Sequence, residues 1–300
     1  MPNNPTKTLL SMTLIGGILI SISSNSWLGA WMGLEINLMS FIPLMSSQEN
    51  IFTTEASLKY FIIQALASSV LMFLVVMEGL ISQNPMMGGT IHEYVIMTPL
   101  LLKMGAAPLH WWFPSVMEGL SWDNCLLMMT VQKAAPMMLS SYLMSTSPMM
   151  LTIVLASVTV GSIGGMNQTS LRKILTYSSI NHTGWMLMAL TGGSNLWVTY
   201  FAVYSLLTLT TTTITKSYNI SFINQTMSMS GKATIKLMLF TTLLSLGGLP
   251  PFVGFLPKWA VIQTMILNNL SAIMTIMVVM SLVTLYYYLR MCYSSFITLH

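Results

Sequence analysis

The chain is 300 residues long; only 6% of them are charged, 54% are hydrophobic, and the mean hydropathy is +0.72. An average soluble domain is about a quarter charged, so the composition excludes a soluble globular protein and implies a polytopic membrane protein, read as a single membrane domain over 1–300. The net charge of +4 is accounted for by lysines and arginines anchoring span ends, and calls for no nucleic-acid partner.

The opening MPNNPTKT carries one lysine and no arginine before the first apolar run. It resembles neither a signal peptide nor an arginine-rich transit peptide, which suggests insertion where the chain is made. A membrane span needs about 20 mostly apolar residues. Runs of that kind lie at 8–24, 26–46, 57–81, 92–113, 123–144, 149–167, 173–191, 195–216, 233–249, 250–268 and 272–291. The expected fold is therefore all-α, a transmembrane bundle of about eleven helices joined by short polar loops such as SSQEN, SQNPMMGG and NQTSLRK. With eleven spans, Lys7, Lys59, Arg172, Lys173, Lys216, Lys232 and Lys236 fall on the side of the N-terminus, and Arg290 alone on the other. By the positive-inside rule the N-terminus is inside, in the cytoplasm or its mitochondrial equivalent, the matrix.

Several chemistries are excluded. Cys125 and Cys292 are far apart without a C-x-x-C, which leaves no ligand set for an iron–sulfur cluster and no disulfide framework. HEYVI at His92 lacks the second histidine of a zinc helix, and neither G-x-x-x-x-G-K nor G-x-G-x-x-G occurs. Redox chemistry, if any, belongs to a partner. The thirty methionines suit adaptable packing, and Gly29 with Gly33 and Gly161 with Gly165 form G-x-x-x-G pairs that permit close helix approach.

The informative residues are ionisable groups inside spans: Glu35, Lys103, Lys133, His182 and Lys258, with Glu78 nearer an end. At 1.5 Å per residue, Lys133 lies ~15 Å beyond Asp123 and His182 ~13 Å beyond Lys173, about half of a ~30 Å hydrocarbon slab. A lysine at mid-span costs ~2.5–3.5 kcal/mol on insertion scales, so such groups face the protein interior or water and often mark an ion or proton path. Desolvation destabilises an ammonium and a nearby carboxylate restores it, so a Glu35 that approaches or leaves Lys103 would load and unload a proton. The plainer alternative is a structural Glu35–Lys103 ion pair with the other lysines snorkelling. His182, in YSSINHTGW, suits a relay or a hydrogen-bonded helix contact; His110, beside Trp111 and Trp112, suits an interfacial aromatic belt; His92 and His300 read as surface groups.

Gly105, Pro108 and Pro114 interrupt the fourth span, and Gly247, Gly248, Pro250, Pro251, Gly254 and Pro257 interrupt the region before Lys258. Paired Gly/Pro-broken segments in two halves point to an inverted-repeat transporter and its ion site. The expected organisation is two inverted five-helix repeats, 1–145 and 146–270, with a C-terminal helix over 271–300. On that division the broken helix is fourth in one repeat and fifth in the other, a misfit.

The segments SNSWLGAWMGLEINLMSFIPL, TEASLKYFIIQALAS, LLKMGAAPLHWWFP, VQKAAPM, LRKILTYSSINHTGW and SLGGLPPFVGFLPKW together closely resemble the chain 2 family of mitochondrially encoded, antiporter-like membrane subunits of respiratory NADH:ubiquinone oxidoreductase, complex I. The resemblance runs along nearly the whole chain. It implies a proton-translocating subunit with no cofactor of its own, the NADH, FMN, iron–sulfur and ubiquinone sites lying in other subunits of the complex. It also implies Glu35 as the pairing glutamate, Lys103 as the broken-helix lysine, Lys133 as the central relay lysine, Lys258 as the exit-side lysine and His182 as a polar group on the central axis. Water wires would link Lys103, Lys133 and Lys258. Implied partners are other membrane-arm subunits, with chains 4L and 4 as neighbours, accessory subunits, and lipid, cardiolipin being a candidate. Implied localisation is the mitochondrial inner membrane. Relatives with a full set have fourteen helices, and this chain begins three helices late. The readings set against it are an autonomous secondary cation/proton antiporter and a non-pumping structural membrane subunit.

Overall fold

The computed structural model describes residues 5–47, 50–81, 90–143, 147–227 and 233–296. Lys232, His300, the SQNPMMGG loop and the side chain of His92 lie outside what it describes. Among the described residues the chain is all helix, with one isolated bridge between Ser170 and Phe222. It divides into two compact units, Met1–Met144 and Ser145–His300.

The first unit contains α1 (Pro5–Ser23), α2 (Trp27–Met45), α3 (Ile51–Ile81), α4 (Thr90–Met104), α5 (Trp112–Gly119), α6 (Trp122–Met129) and α7 (Val131–Ser141). α2 starts at Ser26, whose side chain accepts from the Gly29 N–H and satisfies one of the free donors of the first turn. α1 and α2 touch through glycines: a Cβ on Gly33 would lie 2.5 Å from the Ser21 nitrogen, so only a hydrogen fits there. Of the expected Gly29–Gly33 pair, Gly33 makes this contact, and its partner across the helices is Gly17. α3 shows the inside-out pattern of a lipid-facing helix. Leu58, Ile62, Leu66 and Phe73 point outward, while Tyr60, Gln64 and Ser68, each one turn from the next, are buried.

The second unit contains α8 (Pro148–Gly165), α9 (Leu171–Thr191), α10 (Ser194–Ser217), α11 (Ile223–Met227), α12 (Ala233–Gly247), α13 (Phe255–Leu267) and α14 (Ser271–Phe296). α9 is its axis, buried almost along its whole length. It tolerates burial despite its serines and threonines because their hydroxyls donate back to carbonyls one turn earlier, Thr176 to Lys173, Ser179 to Thr176 and Thr183 to Ile180. α8 approaches it closely at Gly161, where a Cβ would lie 2.5 Å from the Asn181 nitrogen.

Among the described residues, five helices are individually long and apolar enough to cross a membrane: α1, α2, α3, α8 and α14. The remaining passages are polar inside or interrupted. α6 and α7 form one passage broken at Thr130, where a single span over 123–144 was expected. The expected ninth and tenth spans are α12 and α13, of 15 and 13 residues. At ~22 and ~20 Å each is short of a ~30 Å slab, and each packs separately on α10 and α14.

Arg290 decides how they count. Its guanidinium donates to the Met166 carbonyl at 3.1 Å, beyond the C-terminal end of α8. That end also carries Arg172 and Lys173, and the chain after Lys216 returns to it, the Leu171 N–H donating to the Ser221 carbonyl at 2.9 Å. If α12 and α13 crossed separately, α14 would finish at the opposite end. They therefore make one interrupted passage, and among the described residues each unit holds five passages where eleven spans in all were expected. Arg290 joins the other cations of its unit rather than opposing them. The same change removes the misfit of the breaks: α4/α5 and α12/α13 are each the fourth passage of their unit. Lys236, expected as an interfacial anchor, is buried in the first turn of α12.

Candidate functional site

Both interrupted helices end in the same way. α4 stops at Met104 because Gly105 turns left-handed, φ +69°; the Ala106 N–H returns to the Leu101 carbonyl and the Gly105 N–H to Leu102. α12 stops at Gly247 because Gly248 does the same, φ +82°; the Leu249 N–H returns to Leu244 and the Gly248 N–H to Ser245. This 6→1 and 5→2 pattern is a Schellman stop, for which glycine is favoured because a left-handed residue with a Cβ is strained. The bonds satisfy some of the last four carbonyls of each helix and leave others free inside a membrane protein.

What takes the remaining carbonyls differs. At α4 a neutral donor does so, the Gln64 amide donating to the Lys103 carbonyl at 3.4 Å, while the Trp112 indole adds a second bond to Leu102 at 3.2 Å. At α12 a cation does so: the Lys258 amine donates to the Gly247 carbonyl at 2.9 Å and to Leu246 at 3.3 Å. A positive charge at a helix C-terminus also complements the helix dipole. Lys258 is 4% exposed, its stem fills the space a Cβ on Gly248 would need, and its amine lies 5.8 Å over the Trp185 ring of α9.

Lys133 projects from α7 to the first break, buried, with its amine 4.9 Å over the ring of Phe113. Phe113, in the first turn of α5, packs against Gly105, where a Cβ would come within 3.2 Å of it. Lys103, in the last turn of α4, is 7% exposed. It borders an enclosed cavity of about 10 Å³, together with Asn37 of α2, Tyr60 and Gln64 of α3, and Gln132 of α7. Asn37 and Gln132 donate to each other, at 3.0 and 3.1 Å, and the Tyr60 hydroxyl donates to Gln132 at 3.3 Å.

Glu35 is placed differently from the rest. It is half-buried on α2 and lines an open, mostly apolar groove between α1 and α2 with Leu9, Thr13, Trp31 and Met39. Its charge acts on Lys103, yet the two do not meet as an ion pair; among the described residues the ion pair within 4 Å is Glu55–Lys59, on the surface.

On α9, His182 is buried, with Nδ1 hydrogen-bonded to the Tyr200 hydroxyl at 2.9 Å and its ring 5.0 Å from that of Tyr204. Trp185, under the Lys258 amine, is one turn further along the same helix. The Asn181 side-chain oxygen is buried and, among the described residues, accepts no hydrogen bond. His110 is buried, bonded to the Pro108 carbonyl at 3.2 Å and stacked on the exposed Trp111. The thiols of Cys125 and Cys292 are both buried, and the Cys125 Sγ donates to the Met117 carbonyl at 3.6 Å. Among the described residues no three of His, Cys, Asp and Glu gather as a metal site would require.

The structure thus brings Lys103 and Lys133 to the first break and sets Lys258 over Trp185, one turn from His182 along α9. The sequence reading overlooked Asn37, Tyr60, Gln64, Gln132, Tyr200 and Tyr204. Its available signal was the four-residue spacing of Tyr60, Gln64 and Ser68 through an otherwise apolar helix.

Comparison with known proteins places the arrangement. Residues 24–284 match the family described as NADH:quinone oxidoreductase/Mrp antiporter, transmembrane. The chain is 52% identical to NADH-ubiquinone oxidoreductase chain 2 of Anopheles gambiae over 97% of its own length and 86% of that protein. It is 46% identical to the same-named chain of Locusta migratoria, covering all of this chain and 88% of that one. Among solved structures, a chain of respiratory complex I from Thermus thermophilus superposes with a TM-score of 0.88 at 26% identity, over 98% of this chain and 71% of that one. A chain of the Mrp complex from a Dietzia species shares the fold, with a TM-score of 0.81 at 16% identity over 94% and 59% of the two chains. The chain belongs to the NADH:quinone oxidoreductase/Mrp antiporter transmembrane family and, within it, to the NADH-ubiquinone oxidoreductase chain 2 proteins.

Proposed function

We propose that this chain is a proton-translocating subunit in the membrane arm of a respiratory NADH:ubiquinone oxidoreductase. It sits in the mitochondrial inner membrane with its N-terminus on the matrix side, and moves protons from matrix to intermembrane space, driven by quinone reduction elsewhere in the complex. NADH, FMN, iron–sulfur clusters and ubiquinone are held by other subunits, and the partners are membrane-arm neighbours such as chains 4L and 4, accessory subunits and lipid. The two units are inverted repeats of five passages each, α14 being the fifth of the second.

Within the first unit, Lys103 and Lys133 pass the proton and Glu35 sets the charge balance of Lys103 from outside the cavity. Within the second, Lys258 and His182 do so. The observation that carries this reading is that buried lysines border both helix breaks, each break a Gly-turned interruption in the fourth passage of its unit. A buried ammonium is costly unless hydrogen-bonded or paired, and the free carbonyls of a broken helix supply part of that compensation. Lysine's proton affinity is also easily shifted when buried, so a nearby charge can tip it between loaded and unloaded.

The test is Lys133→Met in the intact complex, with proton pumping followed alongside NADH oxidation. An assembled complex in which pumping and coupled turnover both fall supports the relay. Unchanged pumping and turnover defeat it, and loss of assembly alone turns Lys133 into a structural residue.

A further inference from the structure

All seven acidic residues of the chain lie before residue 145, so the second unit has no Asp or Glu of its own. A buried histidine is commonly oriented by a carboxylate or carbonyl that accepts from Nδ1–H. His182 has a phenol in that place. Its Nδ1 lies 2.9 Å from the Tyr200 hydroxyl, and both residues are buried. The two rings meet edge-on with centroids 6.0 Å apart, and Tyr204, one turn along α10, packs on the imidazole at 5.0 Å.

The direction of the bond follows from the hydrogens available. A neutral imidazole has one donor nitrogen and one acceptor nitrogen, and a phenol has one hydrogen. If Tyr200 donates, a single bond satisfies both the phenol hydrogen and the Nδ1 lone pair. If Nδ1–H donates instead, the phenol hydrogen needs another acceptor, and among the described residues the Tyr200 hydroxyl bonds to His182 alone. A buried donor left over in this way is costly. The neighbouring charges agree. Of the helices packed on α9, α8 has no ionisable side chain, and α10 presents Tyr200 and Tyr204 to the ring. α13 brings the Lys258 amine over Trp185, one turn from His182, and Tyr288 of α14 acts on Tyr200. An imidazolium there would have a lysine as its charged neighbour and no carboxylate of its own unit to offset it.

We propose that Tyr200 is a positioning residue for His182: its hydroxyl donates to Nδ1 and holds the imidazole neutral, with the ring hydrogen on Nε2. His182 then presents a fixed donor, Nε2–H, and takes up a proton at Nδ1 once the Tyr200 hydrogen has turned away. Loading of His182 is thereby conditional on rotation of the phenol O–H, a step that a carboxylate, having no hydrogen to turn, would not impose. The proposal rests on the relay reading above for its effect on pumping, and stands without it for the tautomer.

Two measurements on the intact complex test it. The tautomer is read from the imidazole ring-stretch bands in the infrared difference between the complex and its His182→Asn variant, both with ring-labelled histidine. The wild type is expected to show the neutral Nε2–H form; an Nδ1–H or imidazolium signal overturns the proposal. Tyr200→Phe keeps the ring and removes the hydroxyl. It is expected to bring in the Nδ1–H form and to lower pumping per assembled complex about tenfold, as loss of one buried hydrogen bond would give. A tyrosine that merely fills space would leave the tautomer unmoved, and that result also overturns the proposal. A shifted tautomer with normal pumping overturns the conditional loading. Should Tyr200→Phe fail to assemble, the wild-type spectrum decides. If Lys258→Met pumps normally, the relay reading of the second unit has failed, and the spectra, which need no pumping, decide the role of Tyr200.

Discussion

The two helix breaks invite comparison because they are built alike and solvated differently. Each uses a left-handed glycine to stop a helix inside the bundle, and each sets a buried lysine amine over an aromatic ring. In the second unit the break looks after its own lysine, since Lys258 bonds the very carbonyls that the interruption of α12 exposes. In the first unit the exposed carbonyls go to Trp112 and Gln64, and Lys103 is left with a small polar cavity. A broken helix therefore offers two ways to keep a cation in a membrane protein. One ties it to backbone oxygens and holds it in place; the other surrounds it with amides and room for water, where a proton can move with less rearrangement.

The largest effects should come from what the units share. Gly33→Val and Gly161→Val each place a Cβ within 2.5 Å of a neighbouring backbone nitrogen, and backbone does not step aside as a side chain would. We expect both to cost more than ~4 kcal/mol and to abolish assembly on native gels; assembly of one and not the other would show that the two close helix pairs are not equivalent. Next come the lysines, whose stability effects should differ in sign. Lys258→Met strips the carbonyls of α12 of their donor and should destabilise the complex by about 2 kcal/mol. Lys103→Met removes a buried charge that no described residue bonds, and should leave stability unchanged or raised. Both should stop pumping. The midpoint of heat inactivation checks the sign, and equal losses in the two variants would break the distinction between the sites.

Much of this was legible in the residues. Lys103, Lys133 and Lys258 stand out because a charge in an apolar run is rare, and Gly105 and Gly248 because glycine beside proline interrupts helices. The polar clasp was hidden for the opposite reason. Asn37, Tyr60, Gln64 and Gln132 are ordinary residues whose meaning depends on three helices converging, which no linear pattern reports. The span count failed at SLGGLPPFVGFLPKW, because the same glycines and prolines suit a loop between two spans and a break within one. Arg290, the lone cation on the wrong side of an eleven-span chain, held the hint. Its bond to the Met166 carbonyl resolves the parity.

A smaller effect would sharpen the contrast between the lysines themselves. Lys133 lies 4.9 Å from the Phe113 centroid, Lys258 lies 5.8 Å from that of Trp185, and Lys258 also has its two carbonyls. Cation–ring attraction is worth ~0.5–2 kcal/mol and weakens toward the ~6 Å limit. Double-mutant cycles pairing each lysine-to-methionine change with Phe113→Leu or Trp185→Leu should therefore give a coupling of ~1 kcal/mol in the first unit and under ~0.5 in the second. A reversed order would mean that ring contact, not backbone, holds Lys258.

The smallest effect is expected at a lysine whose ion pair is plain to see. Lys59 reaches Glu55 one turn earlier on α3 at 2.6 Å, with both side chains about half exposed. Its short distance makes it look stronger than anything at Lys103, which has no such partner among the described residues. Yet water and ions solvate an exposed pair almost as well when it is broken, so such pairs contribute only ~0.3–0.5 kcal/mol. Lys59→Met should leave heat inactivation and pumping at wild-type values, and a loss comparable to that of Lys133→Met would mean that Lys59 faces a proton route rather than the surface. A lysine's weight in this protein is set by how little water reaches it, and hence by its helix break, rather than by how near its closest carboxylate lies.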